Sequence, residues 1–132
     1  MTEPEVTAAD VPLDLVGGVL DAITVSHQLD LRFSTGAAVT IETPFTLTSP
    51  GSTATLHDPD DPASLAAPLR LLHDTVRHAR VDHDVLTIGF AGGTVLTVGP
   101  HPDFESWHHH TAAGSRMIGL PGGGVAIWLP RD

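Results

Sequence analysis

Cysteine is absent from this chain of 132 residues, which excludes disulfides, thiolate metal sites and cysteine nucleophiles, and removes any sign of an oxidising compartment. Lysine is absent as well. Six arginines face sixteen acidic residues, for a formal net charge of −10. Affinity for a phosphate backbone comes largely from lysine and arginine displacing counterions, so nucleic-acid binding is not expected. A basic partner is attracted instead. No stretch approaches the roughly 20 apolar residues of a membrane-spanning helix. Residues 1–10 carry Glu3, Glu5 and Asp10 with no basic residue or apolar run. They fit neither a signal peptide nor a membrane anchor, and the expected location is the cytoplasm.

Familiar catalytic motifs are missing too. No serine stands in a nucleophile-elbow sequence. Pro121-Gly122-Gly123-Gly124 lacks the lysine and hydroxyl residue of a phosphate loop, and the glycines from Gly89 to Gly93 lack dinucleotide-binding spacing, so both read as hairpin corners. Asp58, Asp60 and Asp61 are interrupted by Pro59 and Pro62, and the central glycine and distal glutamate of a calcium loop are absent.

What is present is a repeated strand pattern. Leu29, Leu31 and Phe33 alternate with Asp30 and Arg32, Gly36 supplies a turn, and Val39 and Ile41 resume the apolar face. The arrangement returns 57 residues later, where Leu86, Ile88, Phe90, Gly93, Leu96 and Val98 align without a gap. Apolar segments around Ile23 and Val25, and around Ala79 and Val81, precede the two copies, so each unit reads as a three-stranded meander. The expected fold is α+β, predominantly β. It has two tandem β-meander units, a C-terminal hairpin, and one helix between the units packing on the sheet.

The chain divides accordingly within a single domain: a flexible tail over 1–12, a first β unit over 15–47, a loop over 48–61, a helix over 62–78, a second β unit over 79–99 and a C-terminal hairpin region over 100–132. Asp61 and Pro62 are suited to open the helix. Pro68 kinks it, and Leu65, Leu69, Leu72 and Val76 form its apolar stripe. Residues 125–129 read as a strand covered on both faces.

The sharpest candidate chemistry is metal binding. Alternation in a strand turns His108 and His110 to one face and His109 to the other, and imidazoles at that spacing chelate a divalent transition metal when a further ligand arrives. His101, with Asp103 and Glu105, lies just upstream to complete the set. Alternation also places Ser106 with His108 and sets Glu105 opposite, which breaks up a Ser–His–acid triad. No catalytic residue is assigned, and enzyme activity is left open, with a non-enzymatic chain the leading reading. Trp107 and Trp128 anchor a core where buried and mark an interface where exposed.

Phe33-x-x-Gly36, Phe90-x-x-Gly93, Phe104-Glu105-Ser106-Trp107 and the ending from Leu120 to Trp128 resemble a family of small proteins from GC-rich bacteria, a domain of unknown function. The resemblance spans roughly residues 15–129. Small acidic chains of this style are also loosely similar to immunity proteins that neutralise polymorphic bacterial toxins. With the charge, this implies a non-enzymatic inhibitor of a basic protein partner, a toxin in the concrete case, with Asp58, Asp60, Glu105 and Trp107 at the docking face. Two alternatives stand beside it: a metal-binding protein or metal-dependent enzyme using the histidine-rich 101–110 segment, and a self-associating module whose strand edges pair into a homodimer.

Overall fold

Alternating apolar residues commit most of this chain to extended structure. The computed structural model describes residues 5–7 and 11–129. Among the described residues the strands are β1 Glu5–Thr7, β2 Val11–Pro12, β3 Leu20–Val25, β4 Leu29–Phe33, β5 Ala38–Ile41, β6 Phe45–Thr48, β7 Thr55–His57, β8 Val76–Asp82, β9 Val85–Phe90, β10 Val95–Val98, β11 Trp107–His110, β12 Arg116–Gly119 and β13 Val125–Trp128. A 3-10 turn, Pro62–Ser64, and one short helix, α1 Ala66–Leu69, lie between β7 and β8. The protein is thus mostly β. No helix among the described residues is long and apolar enough to cross a membrane.

Two antiparallel sheets result. The first has the order β1-β13-β12-β11-β5-β4-β3 and the second β2-β8-β9-β10-β6-β7. β3, β4 and β5 follow one another as neighbours in the first sheet, and β8, β9 and β10 do so in the second. After each run the chain changes sheets. β6 leaves β5 and pairs with β10, while β11 leaves β10 and pairs with β5.

The starts of β3 and β8 also pair with each other. Val19 and Thr75 form an antiparallel bridge. Leu20 N donates to Asp74 O at 3.0 Å and Val76 N to Gly18 O at 2.8 Å. Both strands shift register just inside, at Leu20/Ala22 and Val76/His78. Such bulges bend a strand.

Side chains facing inward from both sheets form one core. Leu29, Leu31, Val39 and Ile41 of the first meander and Leu86, Ile88, Leu96 and Val98 of the second are each at most 1% exposed, and Phe45 and Trp107 join them. Each such burial contributes about 1.5–3 kcal/mol. Trp107 links the sheets further, because its Nε1–H donates to Asp84 O, in the turn between β8 and β9, at 3.4 Å.

Four expectations are corrected. The helix over 62–78 shrinks to α1, and β8 already begins at Val76. Asp61 does cap the 3-10 turn, accepting from Ala63 N. α1 ends at Leu69, and His73, whose φ of 75 no right-handed helix accommodates, keeps helix from extending toward 78, where β-branched Thr75 and Val76 follow. The supposed stripe breaks up as well: Leu69 and Leu72 are exposed, whereas Pro68 and Leu71 are buried. Residues 48–61 are not all loop, since β7 adds an edge strand beside β6. The tail expected over 1–12 falls partly outside the described residues; within it, β1 pairs with β13 and β2 with β8.

Candidate functional site

Antiparallel order brings four connections to one end of the first sheet: β3 to β4, β5 to β6, β10 to β11, and β12 to β13. They border a cleft of about 550 Å3 lined by His27, Gln28, Glu42, Asp103, Phe104, Glu105 and Pro121. Backbone bonds hold the 101–106 segment in place. Gly122 N donates to His101 O at 2.8 Å, Ser106 N to Gly119 O at 3.1 Å and Glu42 N to Ser106 O at 3.0 Å. Asp103 N donates to His101 Nδ1 at 3.1 Å, and the His101 ring leans on Phe104 with centroids 5.1 Å apart. Phe104 nevertheless stands 63% exposed. At the rim, His27 Nδ1 lies 3.0 Å from Asp60 Oδ1, both side chains well exposed.

Deeper in, one imidazole meets two carboxylates. His108 Nε2 is 2.7 Å from Glu42 Oε2 and 3.2 Å from Glu105 Oε1. The three donor atoms all lie within 4.8 Å of one another. Strand register explains the meeting. His108 pairs with Thr40 across β5, so Glu42, two residues along on the same face, projects beside it. A smaller cavity of about 210 Å3 continues along this face past Gln28, Thr40, His108 and His110. Thr40 Oγ1 donates there to Asp30 Oδ1 at 2.6 Å.

The three adjacent histidines have different surroundings. His108 and His110 share the outer face with rings stacked at 16°, centroids 6.4 Å apart. Burial lowers the His110 pKa, and the neighbouring Arg116 and His108 lower it further. His109 points inward and is 3% exposed. Burial lowers its pKa as well, against the opposing pull of Asp14, whose Oδ1 lies 3.0 Å from Nε2.

The residues singled out from sequence are redistributed. Of His101, His108 and His110, only His108 belongs to the converging group, and His101 packs on Phe104 instead. Glu105 joins His108 rather than facing away, because β11 begins only at Trp107 and the preceding residues bend. Ser106, placed beside His108 by simple alternation, is fully buried, and its hydroxyl has no partner among the described residues. Trp107 cannot dock a partner, since it is 0% exposed. Asp60 reaches the cleft rim through His27. Asp58 stays in its own turn, where its Oδ1 accepts from Asp60 N at 2.9 Å.

Glu42 was missed, and nothing local could have flagged it. Its role depends on the pairing of β5 with β11, two strands far apart in sequence.

A second cavity of about 270 Å3 lies between β7 and the α1 segment, bordered by His57, Arg70 and Asp74. His57 Nδ1 donates to Ser64 O at 2.6 Å, which leaves Nε2 buried without a partner among the described residues.

No curated protein and no solved structure matches the chain. A family model does match, over residues 11–129. The span takes in both meanders, the cleft and all three converging side chains, so the protein belongs to the family of unknown function DUF6188.

Proposed function

We propose that this protein is a non-enzymatic binding module whose acidic cleft takes a basic segment of a protein partner and inhibits it, in the manner of immunity proteins that neutralise bacterial toxins. The observation that carries this reading is Phe104, an aromatic ring 63% exposed between Asp103 and Glu105 in a cleft that Glu42 also lines. A guanidinium or ammonium suits such a place. It gains cation–π attraction from the ring and charge-assisted hydrogen bonds from the carboxylates. The net charge of −10 draws a basic partner in from a distance, which raises the association rate and makes it salt-sensitive. This reading assigns the protein to a bacterial cytoplasm. The 57-residue correspondence between Leu29 and Leu86, and between Ile41 and Val98, supports a scaffold that arose by tandem duplication of a meander unit.

Affinity capture from an extract of the source organism, with wild type and Phe104→Ala as parallel baits, tests the reading. It is run at about 0.05 M and about 0.5 M salt, between which the screening length falls about threefold. The expected result is a basic protein retained by wild type at low salt, released at high salt, and held at least about tenfold more weakly by Phe104→Ala. Captured proteins that are acidic, or that bind both baits alike at both salts, would overturn it.

A further inference from the structure

The converging donors Glu42, Glu105 and His108 come from three separate places: the residue after β5, the loop before β11, and β11 itself. A single imidazole nitrogen carries at most one proton, so it can donate to only one of the two carboxylates beside it. The second carboxylate is left close to a like charge. A doubly charged cation satisfies both acids at once and leaves the group neutral.

The geometry suits one. A tetrahedral zinc ion with bonds of about 2.0–2.2 Å holds its ligands roughly 3.3 Å apart. The observed separations of 2.7 and 3.2 Å from Nε2 lie within about 0.6 Å of that value, and the two carboxylate oxygens, within 4.8 Å of each other, close on an ion by rotation of the glutamate side chains.

A second observation is independent of these distances. Thr46 pairs with Thr97 across β6 and β10 as His108 pairs with Thr40 across β11 and β5. By the same register, Glu42 corresponds to Gly99 and Glu105 to Thr43. The same strand exchange is therefore built in the other half with no ionisable group at any of the three positions. The strand exchange itself does not require the cluster, which places one carboxylate at 2.7 Å and another at 3.2 Å from the same nitrogen.

We propose that Glu42, Glu105 and His108 form a binding site for a divalent transition cation of the zinc class, with Oε2, Oε1 and Nε2 as ligands. Both carboxylates line the cleft, so the fourth position of a tetrahedral ion opens into it, available to water or to a donor from a bound molecule. One nitrogen beside two carboxylates selects zinc over magnesium and calcium, which take all-oxygen shells. His110 and His101 stay outside the ligand set. The site is complete within this one chain and does not depend on the partner reading; an ion there takes up Glu42 and Glu105 and leaves Asp103 and the Phe104 ring to face a basic side chain.

The test uses the full chain without a histidine tag, stripped with chelator and titrated calorimetrically with zinc, manganese, magnesium and calcium. One equivalent of zinc is expected. Glu105→Gln and His108→Asn each weaken its binding by at least about tenfold, while His110→Asn and His101→Asn change it by less than about threefold. Glu105 is exposed, and thermal unfolding provides a second reading: zinc raises the midpoint of wild type more than that of Glu105→Gln at the same concentration. Equal zinc affinity in wild type and Glu105→Gln would overturn the site. So would no binding at micromolar zinc, a loss in His110→Asn as large as in His108→Asn, or preference for calcium or magnesium.

Discussion

His109 is a neutral imidazole held in the core beside the carboxylate of Asp14. Its pKa is lowered by burial, while in the unfolded chain it returns to about 6.5. Below that value the unfolded chain binds more protons than the folded one. The histidine's contribution to stability is therefore complete above pH 6.5 and is lost as pH falls through the lowered folded value. Denaturant unfolding between pH 7 and pH 5, with chelator present, should show stability falling with acid in wild type and a shallower fall in His109→Gln. Equal slopes would show that this imidazole is not the group responsible. His110 shifts in the same direction, so the variant's slope shrinks rather than vanishes. The neighbouring His108 lies on the opposite face in a polar setting, which explains why three identical residues in a row could not be assigned individually from composition. Strand alternation separated His109 from the other two, but only the pairing of β11 with β5 revealed that a glutamate, and not a second histidine, stands closest to His108.

Each of the two meanders begins with a turn residue in the left-handed region: Gly17 with φ 85 before β3, and His73 with φ 75 before β8. The bonds they make correspond, His73 N donating to Leu20 O and Gly17 N to Val76 O. A side chain in this conformation costs about 1–2 kcal/mol, against a glycine's unfolded-chain entropy of about 0.4–1 kcal/mol. His73→Gly should therefore stabilise by about 0.5–1 kcal/mol. Gly17→Ala should destabilise by about 0.5–1 kcal/mol by the same balance, although a Cβ there meets nothing within 4 Å. Chemical denaturation of both variants checks this pair of opposite signs, and a destabilised His73→Gly would mean that its side chain makes a contact worth more than the strain. The strands β4, β5, β9 and β10 were legible because two-residue alternation is a local signal. The helix was not, because Leu65, Leu69, Leu72 and Val76 satisfy helical spacing by coincidence while a turn at His73 divides them. The exchange of β6 and β11 between sheets was illegible for a different reason: alternation fixes which face a residue takes but not which strand lies beside it.

At the scale of the whole molecule, that exchange makes the two sheets interdependent. β5 lacks a neighbour without β11, and β10 lacks one without β6; Trp107 and Asp84 join the halves again. The sheets should consequently unfold together. In a Trp128→Phe background, the fluorescence of Trp107 reports on the first sheet and far-UV circular dichroism on both, and the two denaturation curves should coincide. Two separated transitions would show that the halves are independent. The same connectivity governs how the molecule comes into being on the ribosome. Ile41 is made long before Trp107, its register partner, and at roughly 5–20 residues per second that delay lasts about 3–13 s. Throughout it the first meander has an open edge at β5, where a foreign strand could attach. That edge stays open until β11 arrives to pair with it, and the cleft, whose walls run from His27 to Pro121, cannot engage anything until Pro121 has been made.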